Sequence, residues 1–244
     1  MIAIRQILSL NTIALLLSGN GLSAQSAGNP ESTWITPVFM EALAAPLFYE
    51  NNYNEFVELK AGVRARGESI KVTIPGRLEL FAEGTDPETG AAQWASVATA
   101  TWDANWRTVI LLIGKSRSGL FTYPMDDSLA AHPQNSMRVI NFTQTRIGML
   151  VGEERRVIER NQRSIFPVDA YTGARIPFRI VLETEQGGDW VSYLSNEIRM
   201  RSNTLRTNYI AYTSADSRLG TSSIAAFGIT GMPPLAPEAN PTGR

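Results

Sequence analysis

The 244 residues are 43% hydrophobic, enough to build a core, and carry 22 basic against 23 acidic side chains for a net charge of −1. So even a balance offers no long-range attraction for nucleic acid or an anionic bilayer, and it disfavours both as partners. With no cysteine and one histidine, the chain has no disulfide, no thiolate nucleophile and no means of building a histidine metal cluster within one copy.

Met1–Ala24 has the parts of a secretory signal. Arg5 supplies the positive start, Ile7–Leu17 the apolar centre, and Leu22-Ser23-Ala24 a small-residue exit. The apolar run is too short to span a bilayer, which takes about 20 residues. We therefore expect cleavage after Ala24 and no integral membrane span afterwards. The expected location is the periplasm or the exterior of a Gram-negative bacterium. Residues 25–54 read as an N-terminal lead-in, in which Pro37–Ala45 forms either a short helix or an extended segment.

From Phe56 onward the pattern is that of strands. Ile70, Val72 and Ile74 alternate with Ser69, Lys71 and Thr73, and Leu78 and Leu80 with Arg77 and Glu79. Pro75-Gly76 between them predicts a corner between two sheets or a bulged hairpin. Gly84–Gly90 is a hydrophilic turn. Trp94–Thr101 is a strand, Val109–Ile113 is a continuous apolar run suited to a strand covered on both faces, and Gly119–Tyr123 completes this set. Pro124–Asn135 has no periodicity and marks a boundary.

Beyond it, Met137–Thr143, Arg146–Val151, Arg155–Ile158, Ser164–Val168, Ile176–Glu183, Trp190–Arg201, Leu205–Thr213 and Ser223–Thr230 read as strands. Gly187-Gly188 predicts a tight type I′ hairpin, with positive φ at both glycines. Met232–Arg244 is rich in proline and poor in large apolar residues, and reads as a disordered tail.

Short strands without a long amphipathic helix predict an all-β protein of two small packed antiparallel β-sandwich halves, over 55–131 and 136–231. A single large sandwich is the alternative. The stretch Met137-Arg138-Val139-Ile140-Asn141-Phe142-Thr143, followed by Arg146–Val151, Gly152-Glu153-Glu154, Arg155–Ile158 and Ser164-Ile165-Phe166-Pro167, resembles exported β-sandwich proteins of the Verrucomicrobia and related bacteria. More distantly it is similar to periplasmic accessory proteins of alginate acetylation. The resemblance implies a fold and an envelope location and transfers no catalytic residue.

No stretch carries recognisable chemistry. There is no G-x-S-x-G elbow, and a serine hydrolase would have to use His132 as its base. Its place between Ala131 and Pro133 suits an exposed or capping residue. Asp86 with Glu88, and Asp126 with Asp127, do not match the spacing of a calcium loop, so neither a metal nor another cofactor is expected. The candidate ligand-binding residues are Arg155, Arg156, Arg160 and Arg163, a basic patch suited to an anionic polymer or headgroup. Trp190, Tyr193, Tyr209 and Tyr212 are candidates for an aromatic platform. The leading expectation is a non-enzymatic envelope structural or adaptor protein that binds another protein through a sheet face or edge. A carbohydrate-binding module for an anionic or neutral envelope polysaccharide is the alternative.

Overall fold

Alternating apolar residues become strands throughout. In the computed structural model, residues 32–74, 76–116, 119–171, 173–184, 187–199, 206–216 and 221–231 are described. The expected signal segment Met1–Ala24 and tail Met232–Arg244 lie outside them. The first eight strands are β1 (Thr33–Phe39), β2 (Phe48–Glu50), β3 (Phe56–Glu58), β4 (Ile70–Val72), β5 (Arg77–Thr85), β6 (Ala92–Thr101), β7 (Thr108–Ser116) and β8 (Gly119–Asp126). The second eight are β9 (Ser136–Phe142), β10 (Ile147–Val151), β11 (Glu154–Ile158), β12 (Arg163–Pro167), β13 (Arg175–Glu183), β14 (Trp190–Arg199), β15 (Arg206–Asp216) and β16 (Thr221–Gly231). Among the described residues the only helical element is a 3₁₀ turn at Asp169–Tyr171.

The strands form four four-stranded sheets, and the two halves have the same topology. The first half has the orders β4-β1-β7-β8 and β3-β2-β5-β6; the second has β12-β9-β15-β16 and β11-β10-β13-β14. Each half therefore reads as the other with the strand number advanced by eight. In both, the first and seventh strands run parallel, Ile35 beside Val109 in one and Val139 beside Tyr209 in the other. In both, the fifth and sixth strands carry a register shift, after Leu80 and after Ile180. Left-handed turn residues recur at matching places as well: Asn54 and Gly152 in the second-to-third hairpin, Gly90 and Gly187 in the fifth-to-sixth.

Three apolar layers hold the four sheets together. Ile35, Leu47, Leu80, Leu111 and Ile113 fill the first sandwich, and Val139, Ile147, Phe166, Phe178 and Ile180 the second. A third layer lies between the halves, where Val38, Met40, Ile110, Leu112 and Met125 meet Ile140, Ile210, Tyr212, Phe227 and Ile229. The sheets containing β7 and β9 are thus covered on both faces, which is why Val109–Ile113 is an unbroken apolar run with every residue at most 1% exposed. The other two sheets each turn one face outward.

The expected lead-in is corrected: residues 25–54 contain β1 and β2, and β1 is a central strand. Pro37 sits inside β1 without breaking it. Its carbonyl accepts from Gly67 N at 2.8 Å, on the edge where pairing to β4 has already ended at Ile35. The missing N–H of Pro37 faces that same edge, so no ladder bond is lost. Of the expected Pro75-Gly76 corner, Pro75 lies outside the described residues; Gly76 takes φ 80°, and the chain crosses between β4 and β5 from one sheet to another. The tight Gly187-Gly188 hairpin is also corrected. Only Gly187 takes a positive φ, at 79°, and the loop is closed by Thr184 N on Asp189 O at 2.9 Å, so it exceeds two residues.

Candidate functional site

The outer face of β11-β10-β13-β14 carries a concavity of about 390 Å³. Strand alternation points Gly148, Leu150, Arg155, Val157, Arg179 and Val181 to this face, and Trp190 enters from the first position of β14. Gly148 leaves room at the floor of this face: a Cβ there would lie 2.5 Å from Val181 Cγ2 and force that side chain to shift, while Trp190 Cζ3, at 3.4 Å, would be in ordinary contact. Val157 is 55% and Trp190 41% exposed, an apolar surface turned to solvent. Arg155 and Arg179 are exposed at its rim, and the side chain of neither makes a hydrogen bond or ion pair with any described residue.

Trp190 is braced from one side. The Arg146 guanidinium carbon lies 5.7 Å from its ring centroid. Arg146 in turn grips Glu183 through both carboxylate oxygens, with Nε to Oε2 at 2.8 Å, and Gly187 N donates to Glu183 Oε1 at 2.8 Å. The Arg146 hydrogen bonds hold the Glu183 carboxyl at about 2, below its ordinary range. Glu183 is the cross-strand partner of Trp190, so this ion pair fixes the end of the strand from which the indole projects.

The equivalent face of the first half is closed. Phe48 pairs with Phe81 as Gly148 pairs with Val181, and Glu83 pairs with Trp94 as Glu183 pairs with Trp190. Phe56 stands where Arg155 stands in the second half. There the Phe56 ring stacks on Trp94 at 4.5 Å between centroids and 15° between planes, and Phe48 meets the same indole edge-on at 4.7 Å. The residues that close the first face are thus replaced by glycine and arginine in the second.

The four arginines expected to form one patch are not gathered on one face. Arg155 faces the concavity. Arg156 turns its side chain to the other side of β11, where it binds Glu154, donates to Ser164 Oγ at 2.8 Å and lies 4.9 Å over the Phe166 ring. Arg160 lies exposed in the turn after β11, and Arg163 is exposed at the start of β12. The cation that joins Arg155 is Arg179, two strands away, a pairing that only the fold reveals. The four-membered aromatic platform is not formed either. Tyr193 shares β14 with Trp190, but Tyr209 packs edge-on against Phe178 at 4.7 Å and burial raises its hydroxyl to about 12. Tyr212 is 6% exposed between the halves.

His132 is corrected as well: it has no exposed surface. It belongs to a buried charged cluster at one end of the layer between the halves. Asp127 Oδ2 lies 3.2 Å from Arg66 Nη1 and 3.1 Å from Arg206 Nη2, while its Oδ1 lies 3.7 Å from both Arg138 Nη2 and His132 Nδ1. Arg138 donates to Asn208 Oδ1 and Asp126 O, each at 2.6 Å, and Arg206 Nη1 to the carbonyls of Asp127 at 2.9 Å and His132 at 2.8 Å. Burial opposes ionising Asp127, but His132 and the guanidiniums of Arg66, Arg206 and Arg138 outweigh it and its pKa falls below the ordinary value. Burial leads in lowering the pKa of His132 below its ordinary value, and brings that of Arg138 down to about 10. An Asp–His pair sealed in this way is closed to substrate, so the cluster joins the halves.

No family model matches the chain, and no curated protein matches it.

Proposed function

We propose that the protein is a non-catalytic structural or adaptor module of the cell envelope, and that it engages another protein through the outer face of β11-β10-β13-β14. The observation that carries this reading is the pairing of exposed Trp190 and Val157 with Arg155 and Arg179, whose side chains have no partner among the described residues. The equivalent first-half position is filled by the protein's own rings. Tryptophan and arginine are the side chains that most often anchor interfaces. Export rests on the signal-like Met1–Ala24.

Placing a photo-crosslinking amino acid at position 157, and in a control at the exposed position 83 on the outer face of the first half, tests this in intact cells. Protein adducts at position 157 and none at position 83 are expected. Failure of position 157 to form any protein adduct contradicts the reading. A second reading is favoured by the indole beside two arginines, a combination that also suits an anionic polysaccharide. Titration with a polyuronate oligomer decides between them: tight binding that is lost in Trp190→Ala supports the sugar.

A further inference from the structure

The open face has an unusual counterpart on the same molecule. Tyr53, at the tip of the β2–β3 hairpin, is 82% exposed, the highest of the exposed large hydrophobics among the described residues. The tip that presents it is closed by its own hydrogen bonds. Asn51 Oδ1 accepts from Tyr53 N at 2.8 Å and from Glu55 N at 3.0 Å, and Asn51 N donates to Glu55 O at 2.9 Å. Asn54 completes the turn with φ at 59°. Two carboxylates flank the ring in sequence, Glu50 and Glu55. A large amphipathic ring on a rigid, acidic tip has little conformational freedom to lose on docking.

The second-half hairpin has no such tip. Its turn is Gly152-Glu153, and Tyr171 folds over it, with the ring 2.5 Å from where a Cβ of Gly152 would sit. The molecule therefore displays one acidic aromatic tip and one basic, ring-accepting concavity, on sheets at opposite ends of the four-layer stack. Three layer spacings separate those sheets, about 30 Å at about 10 Å per pair. A single copy cannot bring its tip to its own concavity.

We propose that the occupant of the concavity is the β2–β3 hairpin of a second copy of this chain, with Tyr53 set against Trp190 and its flanking Glu50 and Glu55 facing Arg155 and Arg179. This rests on the reading above that the face binds protein, and it names the partner. The first half supplies the precedent for the ring contact, since Phe56 stacks on Trp94 at the equivalent place. Tip to concavity is a heterologous contact. It leaves a free tip at one end and a free concavity at the other, so association continues head to tail beyond two copies.

Sedimentation of the purified chain of residues 25–244, at rising concentration and at low and high salt, provides the test. The expected result is concentration-dependent growth beyond a dimer, weakened at least tenfold by Tyr53→Ala, by Trp190→Ala and by Arg155→Glu, and weakened by salt. Mixing Tyr53→Ala with Trp190→Ala should restore a dimer that neither forms alone, because each retains the face the other has lost. Since the chain has no cysteine, Tyr53→Cys mixed with Val157→Cys should give a single disulfide-linked pair under oxidation. A monomer at every concentration, or assembly indifferent to all three substitutions, overturns the proposal. If position 157 still crosslinks to a different protein in cells, self-association alone has failed; if it crosslinks to none, the protein-binding reading fails with it.

Discussion

Trp94 and Trp190 occupy the same place in two halves of identical topology, each opposite a glutamate across the sheet and each beyond a register shift. Their surroundings differ in three respects. Phe48 becomes Gly148, Phe56 becomes Arg155, and the charged Glu50 and Glu58 become Leu150 and Val157. In the first half the apolar surface of the indole is covered from within and the rim is acidic. In the second it is left to solvent and the rim is basic. The lesson is that one scaffold gives a closed face or an open one according to a few outward positions, while the inward positions, Leu47 and Ile147 or Leu80 and Ile180, stay apolar in both.

The largest way to break this comparison is to separate the halves that make it. Asp127→Ala leaves the guanidiniums of Arg66, Arg138 and Arg206 without their shared carboxylate. It should cost about 3–5 kcal/mol in denaturant unfolding, as for any buried ion pair deprived of one partner. Opening the closed face comes next. Phe56→Ala removes the ring stacked on Trp94 and should cost about 2 kcal/mol, with a red shift in tryptophan emission. Closing the open face is the converse and smaller test. Arg155→Phe should stack on Trp190, raise stability by about 1 kcal/mol, shift its emission to the blue and abolish crosslinking from position 157.

The smallest effect concerns pH and again sets one half against the other. The folded Glu183 carboxyl is held at about 2, below its unfolded value of about 4.3, chiefly by Arg146. A depressed carboxyl contributes stability above its unfolded pKa and loses it as pH falls toward the folded one, so the contribution fades between about pH 4.3 and 2. Glu183→Gln should flatten the acid limb of the stability profile, measured by thermal melts. At the exposed equivalent in the first half, Glu83, Pro46 stands in place of Arg146.

Most strands were legible because alternation is local: Ile176, Phe178 and Ile180 declare their inward face without any partner. The run Val109–Ile113 likewise announced burial on both sides. Two strands were hidden. Pro37 and Pro46 in the first 50 residues left both a short helix and an extended segment open, and only the end of the β4 ladder at Ile35 explains why Pro37 is tolerated inside a strand. The site was less legible still. Arg155 was visible within a basic cluster, but its partner Arg179 lies two strands away. The alternation rule separates Arg155 from its neighbour Arg156, since successive side chains point to opposite faces. Gly148 gave no signal as part of a site, because its role depends on Val181 and Trp190 from other strands. The buried cluster was equally non-local: Asp127, Arg66, Arg138 and Arg206 come from separate segments and meet only where the halves join.

The central claim is that one outer face is open for a partner and its counterpart is not. Hydroxyl-radical footprinting of the protein in intact envelopes against the purified, dilute chain tests this directly. The account predicts protection of Leu150, Val157 and Trp190 in the envelope, with Phe48, Phe81 and Trp94 unchanged between the two samples. Equal labelling of Trp190 in both samples, or protection confined to the first-half rings, would contradict it.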